Sequence, residues 1–136
     1  MPTPKPQAAA LAVRGDLVCL VTSRTGRRWV VPKGGIARGH TPAQAAAAEA
    51  WEEAGLLGVI DPTPVGVYSY EKLGRTHAVT VFRLEVTSET DDFPERGFRT
   101  RAWLTPAEAL GRILEPDLRE IVQTAFGLPV LAAGEG

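Results

Sequence analysis

Between Pro32 and Gly58 the chain reads PKGGIARGHTPAQAAAAEAWEEAGLLG, and no other stretch limits so strongly what it can fold into. Thr41 with Gln44 three residues later forms a capping box, Pro42 suits the first helical position, and Gly55 suits the left-handed residue that closes a helix. Together they predict a helix over 42–54. Alanine, the best helix former, makes up most of it, yet it carries Glu49, Glu52 and Glu53 and no basic residue. Glu52 and Glu53 fall in the last turn, where the helix dipole is negative and an exposed carboxylate costs roughly 0.3–1 kcal/mol. Glu49 stands three and four residues earlier on the same face, and each like-charged pair at that spacing adds roughly 0.2–0.5 kcal/mol.

One reading of the cluster is a solvated acidic face. Breaking two local rules together, however, is a habit of functional sites, and a divalent cation would reverse the sign of both penalties. Three carboxylates around one small volume suit Mg²⁺ or Mn²⁺, hard cations that take oxygen ligands, better than zinc. Ahead of the helix, Gly34, Gly35 and Gly39 read as a flexible loop whose backbone comes close to a ligand.

The remaining chain supplies layers for that helix. AALAVRGDLVCLVTS reads as two strands around a turn at Arg14-Gly15-Asp16. RWVVP is a short strand, GVIDPTPVGVYSYE a segment broken by prolines, HAVTVFRLEVTS an alternating half-buried strand, and TRAWL another short one. TPAEALGRIL and PDLREIVQTAF read as two helices, each opened by a proline. The expected fold is an α/β sandwich: a mixed or antiparallel sheet, one central helix and C-terminal helices. At 136 residues the chain is expected to be one domain, with 1–7 and 129–136 loosely held. A net charge of −1 argues against binding a nucleic acid polymer. No apolar run approaches a membrane span. The single cysteine, Cys19, sits in the apolar run LVCLV and reads as a buried, inert thiol, for which a cytoplasmic home is simplest.

The segment from Gly34 to Leu56 resembles the signature of the Nudix hydrolases, G-x5-E-x7-R-E-U-x-E-E-x-G-U, where U is apolar. The signature glycine falls on Gly34, its later glutamates on Glu49, Glu52 and Glu53, and its end on Gly55 and Leu56. Its first glutamate is replaced by His40 and its arginine by Ala48. As a pair they read as a dispensable brace, because losing both strands no charge. The resemblance implies an α/β/α sandwich and metal-dependent hydrolysis of a diphosphate linkage with Mg²⁺ or Mn²⁺. Glu49 and Glu53 would be the main metal ligands, and Glu52 a further ligand or the general base. Asp91, Asp92 and Glu95 could add a ligand, though they read better as a solvated loop.

Basic residues bear on the substrate. SRTGRRWVVPKGG sets Arg24, Arg27, Arg28 and Lys33 before the glycines, Arg75 opens a later strand, and Arg99 and Arg101 alternate in FRTRAW. Arginine suits forked contact with phosphate oxygens. The arrangement is similar to the diphosphoinositol polyphosphate and dinucleoside polyphosphate branch of the family. That implies Ser23, Arg24, Arg28, Lys72, Arg75 and Arg99 as polyphosphate contacts and a small phosphorylated molecule as substrate. His77 reads as a strand histidine. A nucleoside triphosphate pyrophosphohydrolase of the nucleotide-cleaning type and a non-catalytic binding module stay open as alternatives, as does monomer or homodimer.

Overall fold

Side chains along a strand alternate between the two faces of a sheet, and in QAAALAV both sets are apolar. In the computed structural model, which describes residues 3–128, this run lies in β1 (Lys5–Arg14). Ala8, Ala10 and Ala12 join one core with Ala45, Ala46, Ala50 and Ala54 of α1 (Pro42–Ala54). Ala9, Leu11 and Val13 join a second core with Leu118, Ile121 and Val122 of α3 (Pro116–Ala125). Helices thus cover both faces of β1, and the architecture is the expected α/β/α sandwich.

β1 turns at Gly15, which takes the left-handed φ of 58°, into β2 (Leu17–Thr22). On its other side β1 runs parallel to β6 (Arg75–Glu89), from Lys5 opposite His77 to Val13 opposite Glu85. The main sheet order is β3 (Trp29–Val30), β2, β1, β6 and β5 (Leu56–Lys72). β4 (Lys33–Gly35) pairs with β1, and β7 (Arg101–Leu104) pairs with β2. The sheet is therefore mixed.

Four expectations change. The leader expected to be loose is in part a strand: Lys5, Pro6 and Gln7 pair with β6, and Gln7 also with Gly35. Gly34 and Gly35 belong to β4 rather than to a flexible loop. The proline-broken segment is one long strand, with register shifts between Leu57 and Gly58 and around Pro64; β5 ends the sheet, and an edge strand tolerates proline. α2 (Pro106–Leu110) is half the length expected, although its capping box of Thr105 and Glu108 forms. Residues 129–136, expected to be a loose tail, lie outside the described residues. Among the described residues no helix is long and apolar enough to cross a membrane. Cys19 is fully buried, and burial pushes its thiol up to about 12; it is unreactive.

Candidate active site

The helix signals act as read. Thr41 Oγ1 accepts from the Gln44 amide at 3.1 Å, the Gln44 side chain accepts from the Thr41 amide at 2.9 Å, and Gly55 closes α1 at φ 69°. That cap sets the last turn against β4 and the segment 90–99. Glu53 is almost fully buried there, and its Oε1 accepts from the Lys33 backbone amide at 3.1 Å. Glu49 lies within hydrogen-bonding reach of Glu53. Its carboxyl rests against Gly34, where even the farther oxygen, Oε2, would meet an added Cβ at 2.8 Å. Gly34 is thus needed for the space it leaves. Glu52 is exposed and acts on Glu49 through its charge.

Burial raises the pKa of both inner carboxyls. Glu53 is pushed up to about 8, because the loss of water outweighs the attraction of Arg99 and the Lys33 amide. Glu49 is raised by burial and then by the Glu52 charge. Arg99 offsets Glu53 only partly because it is shared. Its Nη2 stands 3.3 Å from Glu53, its Nε 2.7 Å from Glu95, and its Nη1 donates to the Thr22 carbonyl at 2.9 Å.

Sequence reasoning found no basic residue on α1 to relieve its acidic end. The fold brings two from elsewhere. Arg101 Nη1 donates to the carbonyls of Ala54 and Thr90, each at 2.7 Å, so a cation does sit at the helix C-terminus. Arg99 serves Glu53 in the same way. Arg99 is nine-tenths buried and its guanidinium is committed to protein groups, whereas the branch resemblance implied a polyphosphate contact. Glu95, read as part of a solvated loop, is instead held at the site by Arg99 and by its amide, which donates to the Glu52 carbonyl at 3.0 Å. Its four-residue spacing from Arg99 is the only sequence signal for that pair. Asp92 remains exposed and pairs with Arg96, while Asp91 pairs with Arg101.

Four of the six expected substrate contacts share one cleft. Ser23, Arg24, Arg28 and Lys72 line a hollow of about 260 Å³ with Lys33, Tyr70 and Glu115. An adjoining hollow shares Ser23, Arg24, Lys33, Tyr70 and Lys72 and adds Glu53 and Arg99. The basic cleft therefore opens directly onto Glu53. Ser23 also shapes the turn, its Oγ accepting from the Arg28 amide at 3.2 Å. Arg75 lies farther off, in a hollow with Lys5, Gln7 and His77 that meets the cleft at Tyr70 and Lys72. Lys33 and Tyr70 are additions: the Lys33 ammonium stands 4.6 Å from the Tyr70 ring centre, and burial lowers the Lys33 pKa against the pull of Glu53. His77 stacks on Tyr70 at 4.8 Å and has the Arg75 carbonyl 3.2 Å from its Nδ1. It supports the cleft wall.

Among the described residues no three His, Cys, Asp or Glu side chains converge as a ready metal cage. Two all-oxygen carboxyls close enough to share a hydrogen bond still fit a magnesium-like ion, which commonly takes one or two carboxylates and fills its shell with water and substrate phosphate.

Comparison with known proteins agrees with this geometry. A NUDIX domain family model matches residues 3–125. Nudix hydrolase 12, mitochondrial, of Arabidopsis thaliana is 40% identical over 102 residues, covering 68% of this chain and 50% of that protein. Diphosphoinositol polyphosphate phosphohydrolase 2 of Rattus norvegicus is 35% identical over 112 residues, covering 78% and 61%. The chain thus spans about half to three fifths of the length of these relatives. Among solved structures, an Ap4A hydrolase of C. elegans superposes with a TM-score of 0.72 at 20% identity, covering 91% of this chain and 98% of that one. A NUDIX hydrolase from Nitrosomonas europaea gives 0.77 at 21%, covering 92% and 90%. The capped acidic helix, the sandwich that carries it and the match over nearly the whole chain lead to one conclusion: this chain belongs to the Nudix family.

Proposed function

We propose that this protein hydrolyses a diphosphate linkage in a small, highly phosphorylated molecule, a diphosphoinositol polyphosphate or a dinucleoside polyphosphate, with the aid of Mg²⁺ or Mn²⁺. The observation that carries the reading is the continuity of the cleft: Arg24, Lys33 and Lys72 line both the basic hollow and the one that holds Glu53 and Arg99. Phosphate groups gripped by these cations would lie beside the carboxylates.

In this reading Glu49 and Glu53 hold the cation. When bound, it neutralises phosphate charge and makes water a better nucleophile. Glu52, exposed beside that pair, accepts the proton of the water that attacks phosphorus while the anhydride P–O bond breaks. Arg24, Arg28, Lys33 and Lys72 balance the charge that spreads over the phosphate oxygens, with Ser23 as a hydroxyl donor and Arg75 reaching outlying phosphates. Arg99 keeps Glu53 and Glu95 at fixed positions. The free buried thiol suits a reducing compartment, and we place the protein in the cytoplasm.

A non-catalytic binder is the second reading, favoured by one observation: His40 and Ala48 stand where the signature has glutamate and arginine. Release of phosphate and nucleotide products from a panel decides between them. The panel holds diadenosine polyphosphates, an inositol pyrophosphate, nucleoside triphosphates and ADP-ribose, each with Mg²⁺ and with Mn²⁺. Turnover that Glu52→Gln lowers by two orders of magnitude or more supports hydrolysis. Binding without turnover under either metal supports the binder, and cleavage of nucleoside triphosphates alone moves the protein to nucleotide cleaning.

A further inference from the structure

The cleft is not uniformly basic. Glu115, the residue just before α3, lines the hollow that does not include Glu53, and its side chain is only 11% exposed. Its Oε2 takes a charged hydrogen bond from Arg28 Nη2 at 3.0 Å, while Oε1 is buried and has no hydrogen-bond partner among the described protein groups. Glu71 lines the same hollow, but its carboxyl is engaged by the Thr76 hydroxyl. The hollow that contains Glu53 and Arg99 includes neither Glu115 nor Glu71. The cleft therefore has a polarity: Arg24, Lys33 and Lys72 reach the hollow that holds Glu53, whereas the other hollow adds Glu71 and Glu115, the latter half satisfied by Arg28.

A buried acceptor without a donor is unfavourable, and such groups call for an explanation. Arg28 does not supply it. Its single bond leaves one carboxylate oxygen bare, and its own side chain is 42% exposed and able to turn toward a phosphate. Oε1 is covered as the cleft stands, so a ligand bearing hydroxyl or amino donors would complete the set once Arg28 turns away and the carboxylate swings toward the hollow. A ligand bearing phosphate would set like charge against Glu115 and Glu71 in a half-enclosed hollow, where screening is weaker than in open water.

We infer that Glu115 is a specificity-determining residue: it admits a donor-bearing, uncharged group, such as the sugar and base of a nucleoside, to its own hollow of the cleft and excludes phosphate there. The inference rests on the reading of this cleft as the substrate site. It divides the two substrate types proposed above, because a dinucleoside polyphosphate carries donors at its ends, whereas an inositol ring phosphorylated at every position presents phosphate on all sides.

The test compares kcat/KM for diadenosine tetraphosphate and for diphosphoinositol pentakisphosphate in the wild type, Glu115→Gln and Glu115→Lys. The glutamine variant keeps an oxygen acceptor for Arg28 and guards against loss of the fold, which thermal melting checks. The wild type is expected to prefer the dinucleotide. Glu115→Lys is expected to shift the ratio at least tenfold toward the inositol substrate, chiefly through KM, with Glu115→Gln between the two. Equilibrium binding of inositol hexakisphosphate, measured in EDTA so that no turnover enters, is expected to tighten in the same order. A wild-type preference for the inositol substrate overturns the inference, and so does a ratio that moves less than twofold in the lysine variant. Failure of the wild type both to turn over any diphosphate and to bind any in EDTA would instead overturn the reading of the cleft itself.

Discussion

Gly34→Ala separates the site from the fold. A methyl group at this position would collide with the Glu49 carboxyl, whose farther oxygen would stand at 2.8 Å and whose other atoms would be closer still. Non-bonded carbon and oxygen need more than about 3 Å, so the carboxyl must shift by roughly 1 Å. The end of a glutamate side chain can make that movement cheaply. Alanine also narrows the unfolded ensemble by about 0.4–1 kcal/mol where the backbone accepts it, and Gly34 does not have a positive φ. The net change in folding stability is therefore expected to stay within about 1 kcal/mol. A displacement of about 1 Å at a group that orients the reaction lowers rate by about a hundredfold. The control is Gly35→Ala in the same strand, where an added Cβ meets nothing within 4 Å; its activity should stay within a few-fold. Urea unfolding and kcat/KM on the best substrate of the panel measure the two effects independently. Full activity in Gly34→Ala would refute the placement of Glu49 in the machinery. A loss of more than about 3 kcal/mol would show that the carboxyl cannot move as argued.

Other perturbations test the electrostatics. Glu53 has its pKa raised from 4.5 to about 8, first by burial, so the stability it allows is complete below 4.5 and is lost as pH rises through about 8. In EDTA, Glu53→Gln should therefore gain on the wild type between pH 5 and pH 8.5, by an amount on the order of 3 kcal/mol shared with Glu49. Parallel stability curves for the two proteins would contradict this. Arg101→Gln removes the cation from the carbonyls of Ala54 and Thr90 and from Asp91, and should cost roughly 2–4 kcal/mol in chemical denaturation; less than about 1 kcal/mol would mean that water replaces it.

Much of this is legible in the sequence alone. The capping box at Thr41, the stop at Gly55 and the turn at Gly15 are local features, and local sequence specifies them because a capping hydrogen bond or a left-handed φ involves residues a few positions apart. The length of β5 was not legible. Its prolines break a strand pattern by local rules, and only its place at the edge of the sheet makes them acceptable.

The site divides in the same way. Sequence by itself determined which side chains carry the charge: three glutamates on one helix face, a glycine before them, and arginines clustered in two segments. Where those charges meet was decided by tertiary structure. Arg99 and Arg101 reach the end of α1 from the far side of the chain, Glu95 is drawn in by Arg99, and Glu115 enters the basic cleft from the start of α3. The physical reason is range. Capping and periodicity act over a few residues, whereas the energy of a buried charge depends on every group packed around it, however distant in sequence.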